Sequence, residues 1–179
     1  MKSDDDPLDR DPPAALRSTL EAIRTLESSV LAAHGTVLRY GAFYRPGTSL
    51  SAGGAQVDLV RRRQFPIVGP GTGIWSFAHI EDVAAATAEA IAQGTTGVYN
   101  IVDDEPAPVA EWLPYLAHLA GAPAPRRIPR WVGRLLAGEH VAVMMNDVRG
   151  ASNAKARQRL GWRPRHATWR EGFKAALMS

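Results

Sequence analysis

One long amphipathic segment followed at once by a short strand most constrains how this chain folds. Between Leu16 and Leu31, apolar residues recur every three or four positions, which is the period of a helix with one buried face. His34 and Gly35 end this helix, and Gly35 suits the left-handed backbone position that follows a helix. Residues 36–40 then have the pattern of a strand. A helix that leads directly into a strand indicates layered α/β packing.

The same alternation continues to the end of the chain, without an internal repeat. Thr168 and Glu171 have the spacing of a capping box at the start of the last predicted helix. The predicted helices cover residues 14–33, 56–63, 83–93, 108–119, 130–136, 153–160 and 168–177, and the predicted strands cover residues 36–40, 66–68, 75–78 and 97–102. We therefore predict an α/β fold.

The composition is that of a globular protein. The 179 residues are 45% hydrophobic and 22% charged, which is enough apolar material for one domain with its own core. The absence of cysteine excludes disulfides and thiolate metal sites. No apolar run approaches the roughly 18 residues that a membrane span needs, and the first residues are acidic rather than basic as in a secretory signal. We expect a cytoplasmic protein without a membrane partner.

Charge is distributed unevenly between the two ends. Residues 1–13 contain five Asp and three Pro, so we predict a disordered, acidic and Pro-rich N-terminus before a folded domain over residues 14–179. From Ala122 onward, twelve Lys or Arg residues oppose three acidic residues. This basic region could face phosphates or could be the solvated side of helices and turns. Because no aromatic-interleaved basic platform accompanies it, we expect no nucleic-acid partner.

A glycine-rich run at residues 69–73 has two interpretations. Phosphate-binding loops lie between a strand and the N-terminus of a helix, where free N–H groups face the phosphate. This run is instead followed by residues 74–77, which have the pattern of a strand. We therefore predict a turn at this position and no phosphate-binding loop.

Three consecutive acidic residues, Asp103, Asp104 and Glu105, suggest a metal site at first sight. Adjacent side chains of an extended segment point to opposite faces. No histidine or further carboxylate stands at ligand spacing from them. The sequence therefore predicts no metal site.

Five segments occur in an order and spacing that are more distinctive than any one of them. They are residues 38–47 (Leu-Arg-Tyr-Gly-Ala-Phe-Tyr-Arg-Pro-Gly), 75–84 (Trp-Ser-Phe-Ala-His-Ile-Glu-Asp-Val-Ala), 98–106 (Val-Tyr-Asn-Ile-Val-Asp-Asp-Glu-Pro), 149–156 (Arg-Gly-Ala-Ser-Asn-Ala-Lys-Ala) and 160–164 (Leu-Gly-Trp-Arg-Pro). Together they resemble the second half of an extended short-chain dehydrogenase/reductase of the NAD-dependent epimerase/dehydratase family. The resemblance covers essentially the whole chain.

This resemblance implies an incomplete Rossmann-like fold, made of the last parallel strands and a small substrate-binding α/β lobe. It implies NAD or NADP as the cofactor. By position in the family motif, Tyr44 and Pro46 are the expected cofactor-binding residues. The glycine-rich turn that holds most of the cofactor in the family is not found among the 179 residues. We therefore expect weak or no NAD(P) binding by this chain alone.

The resemblance also implies a substrate surface. The expected substrate-binding residues are Ala42, Phe43, Trp75, Phe77 and His79. Trp75 stands where nucleotide-sugar enzymes of the family have an arginine, and an indole does not neutralise a diphosphate. Ala42 stands where the family often has an asparagine that binds substrate. The expected substrate is therefore an apolar or aromatic small molecule rather than a nucleotide sugar.

The next helix starts beside this surface, and two of its neighbouring residues have structural interpretations. We predict that the Asp82 carboxylate caps the N–H groups of the helix. For His79 we favour a packed, hydrogen-bonded ring over an acid or base.

The family's proton donor is missing from its usual positions. In the family, a tyrosine and a lysine stand eight and four residues before the position of Glu27, where this chain has Thr19 and Ile23. Hydride transfer at an alcohol carbon needs a group that moves the hydroxyl proton. A threonine hydroxyl does not ionise near neutral pH, and isoleucine carries no charge. We therefore assign no catalytic residue and expect the isolated chain to be catalytically incomplete.

Two other functions remain open from the sequence. The chain could be a non-enzymatic ligand-binding or protein-interaction module, since Leu16, Leu20, Val37 and Leu38 would leave an apolar patch on the sheet side. A homodimer or a partner chain could cover that patch. Alternatively, the chain could act by itself on an apolar carbonyl compound, which requires a cofactor-dependent absorbance change.

Overall fold

The computed structural model describes residues 1–178, except for the side chain of Ala15. Ser179, the last residue of the predicted domain, lies outside the described residues. The helices are α1 (Ala14–Ala32), α2 (Ala55–Arg61), α3 (Ile80–Gln93), α4 (Val109–Leu119), α5 (Arg130–Asn146), α6 (Ala154–Arg159) and α7 (Trp169–Met178). The strands are β1 (Thr36–Tyr40), β2 (Ala42–Tyr44), β3 (Ile67–Val68), β4 (Ile74–Trp75), β5 (Phe77–His79), β6 (Gly97–Ile101), β7 (Ala107–Pro108) and β8 (Arg127–Ile128). The predicted α/β alternation is confirmed.

The turn between α1 and β1 differs from its prediction in one residue. His34, not Gly35, has the left-handed backbone conformation, with φ 55°. The Gly35 N–H donates to the Val30 carbonyl over 2.8 Å, and the His34 N–H donates to the Leu31 carbonyl over 3.0 Å. Gly35 is required for another reason, because a Cβ there would lie 2.8 Å from Val30 Cγ1. Close approach to the helix therefore explains this glycine.

The first layer consists of two parallel strands. β1 pairs with β6 from Thr36 opposite Gly97 to Tyr40 opposite Ile101. A small apolar cluster joins these strands to α3 and to the segment after α6; its buried members are Ala86, Ala90, Tyr99, Ile101, Ala156, Leu160 and Trp162. Gly94 ends α3 with φ 58°, a left-handed conformation that suits glycine after a helix.

The second layer is a lobe built on three further strand pairs. β2 pairs with β5 and β3 with β8, both parallel, whereas β4 and β7 are antiparallel. Its core is aromatic, with the Trp169 and Phe173 rings 5.4 Å apart. α7 packs so closely on β2 that a Cβ at Gly172 would lie 1.9 Å from Tyr44 Cε2. Only glycine at this position permits that packing.

Helix α5 is longer than its predicted span of 130–136. It continues to Asn146 through a kink at Gly138, where φ is 84°. The predicted turn at residues 69–73 contacts its end, because the Gly71 N–H donates to Asn146 Oδ1 over 3.1 Å. The Gly73 N–H donates to the Met145 carbonyl over 2.9 Å. The Gly71 and Gly73 N–H groups thus bind the end of α5, and the Gly69 N–H donates to the Ile128 carbonyl of β8.

Residues 1–13, for which the composition predicts disorder, make specific contacts instead. Lys2 pairs with Ala151 in a parallel bridge. The buried Asp4 carboxylate accepts the backbone N–H of Asn100, and Asp5 pairs with Lys155 over 2.6 Å. Carboxylates that find backbone and ammonium donors order a segment that has little apolar area to bury.

None of the helices within residues 1–178 combines the length and the apolarity that crossing a bilayer requires.

Candidate functional site

Strand alternation decides which aromatic residues of β2 can meet a ligand. Tyr44 has no exposed surface and lies against Phe173, with the two ring centroids 5.8 Å apart. Its hydroxyl donates to the His166 carbonyl over 3.3 Å, and burial raises its pKa well above the ordinary value. The side chain of Tyr44 is therefore part of the core and offers no surface to a cofactor in this structure.

Phe43 points the other way. Its side chain is 42% exposed, and its ring centroid lies 5.9 Å from that of the exposed Tyr40. The Tyr40 hydroxyl is 2.9 Å from Thr87 Oγ1 on α3. Ala42, the preceding residue, is half-buried and its N–H donates to the Ser76 carbonyl over 2.8 Å. Phe43 and Tyr40 thus form an accessible aromatic surface at the carboxyl ends of β1 and β2.

The loop after β2 is ordered by its own hydrogen bonds. Thr48 Oγ1 donates to the Arg45 carbonyl over 2.9 Å and accepts the Arg45 N–H over 3.3 Å. Gly47 takes φ 87°, which favours glycine. The side chains of Arg45 and Pro46 are exposed. Pro46, the second expected cofactor-binding residue, is therefore accessible to a ligand.

Trp75 and Phe77 differ in exposure, as Phe43 and Tyr44 do. Trp75 is half-buried, and its Nε1 donates to the Met144 carbonyl over 2.8 Å. Its ring lies 5.0 Å from that of Trp112. Phe77 has no exposed surface and packs among Trp112 and Phe173. Phe77, an expected substrate-binding residue, therefore offers no surface to a ligand in this structure, whereas Trp75 is partly exposed.

His79 is a buried ring whose nitrogen caps a helix. Its Nδ1 accepts the Glu81 N–H over 3.3 Å, and its ring stacks on His166 with centroids 3.6 Å apart. Burial and the neighbouring His166 lower the pKa of His79 below the ordinary value. His79 is thus a packed, hydrogen-bonded histidine, and little of its surface is free for a substrate.

Asp82 was expected to cap α3, but His79 has that role. The Asp82 carboxylate is buried inside the first turn and accepts the N–H groups of Arg165 and His166, each over 2.9 Å. His166 Nδ1 lies 3.1 Å from the same carboxylate. Asp82 therefore holds the segment before α7 against α3. Only the fold brings residues this far apart in sequence together.

His79, Glu81 and His166 also place possible ligand atoms within 4.8 Å of one another. A metal on Nε2 of a neutral histidine requires the proton on Nδ1. His79 Nδ1 already accepts an N–H, so it has no room for that proton. This cluster is therefore poorly suited to a metal.

The acidic trio separates, as its alternation predicts. Asp104 pairs with Arg157 over 3.0 Å, and Glu105 pairs with Arg170 over 2.7 Å. Asp103 is buried, and burial raises its pKa to about 8, so it is protonated at neutral pH. Within the described residues, its Oδ2 has no hydrogen-bond partner. Sequence reasoning missed this neutral carboxyl group because its burial depends on α7.

Thr19 and Ile23 lie on the surface of α1, and Ile23 is 36% exposed. Glu27, on the same helix, forms a two-point ion pair with Arg39 of β1, at 2.7 Å for each contact. This pair raises the pKa of Arg39 through its hydrogen bonds. Glu27 therefore fastens α1 to the sheet, and the two positions before it bring no acid or base to the surface.

A cavity of about 680 Å³ lies between the N-terminal segment and the α1–β1 layer. Its charged lining residues include Arg39 and Lys155, which are already paired with Glu27 and Asp5. None of the seven expected site residues lines it. Because these two cations are paired and no expected site residue lines it, this cavity is a weaker candidate site than the exposed surface around Phe43.

No family model matches the chain, but a curated protein is similar to it. The chain is 40% identical over 160 residues to the 3-diazoavenalumate denitrifying reductase of a Streptomyces species, covering 89% of this chain and 52% of that protein. The chain thus spans about half the length of the curated relative that it matches.

Solved structures show the fold. The human epimerase family protein SDR39U1 with NADPH matches with a TM-score of 0.73 and 22% identity, over 98% of this chain and 58% of that one. The dTDP-glucose 4,6-dehydratase DesIV of Streptomyces venezuelae, with NAD and TYD bound, matches with a TM-score of 0.68 and 18% identity, over 98% and 52%. These neighbours are NAD(P)-dependent epimerase/dehydratase proteins, and the chain has the fold of the C-terminal half of that extended short-chain dehydrogenase/reductase family, as its sequence predicted.

Proposed function

We propose that this chain is the substrate-binding half of an NAD(P)-dependent reductase of the epimerase/dehydratase type, acting on an apolar or aromatic small molecule. The exposed ring surface of Phe43 and Tyr40 carries the proposal. Ligands of open α/β folds bind outside the carboxyl ends of parallel strands, where both residues lie. Sequence identity of 40% to a reductase supports the reaction class, and the name of that reductase denotes the anion of an acid as its substrate.

The described residues offer contacts for only one part of NAD(P). Phe43 and Pro46 offer accessible surface at the strand ends. The glycine-rich run offers no phosphate cradle, because its glycine N–H groups donate to α5 and to the Ile128 carbonyl. NAD(P), when bound, would supply or accept a hydride, and most of its contacts would have to come from a nucleotide-binding half. We therefore derive no step through the cofactor in this chain.

The chain also lacks an acid–base group for proton transfer. Thr19 and Ile23 are exposed on α1 but carry no group that ionises near neutral pH. Tyr44 is buried, and its raised pKa keeps the phenol protonated. We propose that the isolated chain binds substrate without turning it over.

The test compares the chain alone with a complemented pair. NADH and NADPH are titrated calorimetrically into this chain, and then into a mixture with the part of the Streptomyces reductase that the chain does not match. We expect heat of binding only in the mixture, with a P46G variant of this chain weakening it. An R62A variant, altered at an exposed arginine directly after α2, is the matched control. Micromolar binding by the chain alone, or turnover of a carbonyl compound by it, would contradict the proposal.

A non-enzymatic interaction module is the second candidate. Ile23 and Leu26 of α1 are 36% and 64% exposed, and within residues 1–178 the outer edge of β1 pairs with no strand. Unpaired edges and apolar surface favour association with another chain. Size-exclusion chromatography with light scattering separates the two functions. A concentration-independent monomer would remove the argument for an interface, whereas a dimer lost in L26D would support it.

A further inference from the structure

An exposed arginine, Arg45, follows Phe43 by two residues in the chain. Six other arginines form ion pairs with carboxylates, whereas Arg45 and several more, Arg62 among them, form none within the described residues. Arg45 makes no such pair with any carboxylate in the described part of the chain, and its side chain is exposed. A cation that the protein leaves without a partner is available to an anionic ligand.

Backbone geometry places Arg45 and Phe43 on the same side. The side chain of Tyr44, between them, enters the core, so alternation directs its two neighbours outward. Thr48 Oγ1 accepts the Arg45 N–H and donates to the Arg45 carbonyl, and these two hydrogen bonds fix the start of the loop. Beyond burial and His166, the charge of Arg45 further lowers the pKa of His79.

We propose that Phe43 and Arg45 form the recognition site for an aromatic carboxylate, with the ring of the ligand against Phe43 and its carboxylate paired with Arg45. This inference rests on the proposed substrate-binding function and makes its substrate class specific. A guanidinium binds a planar carboxylate through two parallel hydrogen bonds, which lysine does not reproduce. A neutral aromatic compound would use only the ring surface. Arg45 thereby selects acids over their neutral analogues.

The test uses two probes that differ in one group. Cinnamate and cinnamamide share a ring, but only cinnamate is an anion. Each is titrated into the full chain and followed by tryptophan fluorescence and calorimetry. We expect R45A to weaken cinnamate about tenfold, the size of one charge-assisted interaction at a solvated site, and to leave cinnamamide unchanged. R45K should recover only part of the loss, and F43A should weaken both probes by a similar factor.

Controls separate this inference from the function on which it rests. R62A removes an exposed arginine directly after α2 and should change the affinity for neither probe. Equal effects of R45A on both probes, or none on either, would overturn the role of Arg45 while leaving an aromatic substrate possible. Failure of both probes to bind the unaltered chain would overturn the aromatic substrate itself. An anion could also be a cofactor phosphate, so R45A is also titrated with inorganic pyrophosphate; a loss there without a loss for cinnamate would overturn the assignment to substrate.

Discussion

The aromatic lobe and the α1–β1 layer bury their apolar residues to very different degrees. In the lobe, Trp112 and Phe173 have no exposed surface. On α1, Leu26 and Ile23 remain exposed, and the helix is fastened chiefly by the ion pair between Glu27 and Arg39. In the lobe, both surfaces of each packing contact belong to the lobe itself. One face of α1, by contrast, packs against no other element of the described chain. Stability should therefore reside in the lobe, and sensitivity to association in the layer.

The largest effect should come from the centre of the lobe. F173A removes a fully buried ring that packs on Tyr44, Phe77 and Trp169, and should lower the free energy of unfolding by about 3–5 kcal/mol. Urea denaturation followed by tryptophan fluorescence measures the loss. A loss below about 1 kcal/mol would mean that the lobe is not the stable part of the protein.

The next effect concerns the neutral carboxyl group of the lobe. Asp103 has a folded-state pKa of about 8 against an ordinary value of 3.8. Between these values the folded state holds a proton that the unfolded chain has released, so stability should fall as pH rises from about 4 to 8. D103N stays neutral, so its free energy of unfolding should exceed that of the unaltered chain at pH 9.

The measurement for D103N is a series of urea denaturations between pH 5 and pH 9. The difference between D103N and the unaltered chain should grow with pH and level off above pH 8. A difference that stays constant across the series would show that Asp103 is ionised in the folded state.

A smaller effect is expected in the α1–β1 layer. E27Q removes the charge from the half-buried pair with Arg39 and should cost about 1–2 kcal/mol. The loss should show first as faster amide hydrogen exchange in α1, with α7 unaffected. Equal acceleration of exchange in α1 and α7 would indicate that the layer and the lobe unfold as one unit and do not differ in stability.

The smallest effect should come from the exposed face of α1. L26A should change the free energy of unfolding by less than about 0.5 kcal/mol in a dilute monomer, because the side chain already faces water. Thermal denaturation at several protein concentrations tests this. A large, concentration-dependent loss would instead show that this face is covered in solution.

Sequence reasoning located the site segments but not the direction of each side chain. The motif around residues 38–47 led to Tyr44 and Phe43 together, and only the pairing of β2 with β5 shows that one is core and the other surface. The alternation of a strand was available from the sequence, but the face that α7 covers was not. Asp82 illustrates the same limit, since its partners Arg165 and His166 come from the far end of the chain.

Local chemistry was sufficient where the cause of a structure is local. The period of α1, the glycine that ends α3 and the turn at residues 69–73 follow from neighbouring residues alone, as does the absence of a tyrosine and a lysine at Thr19 and Ile23. Tertiary structure decided which groups lie near one another in space. Three features depend on how distant segments lie relative to one another. They are the burial that keeps Asp103 neutral, the stacking of His79 on His166 and the unpaired charge of Arg45. Desolvation and ion pairing act through space and not along the chain.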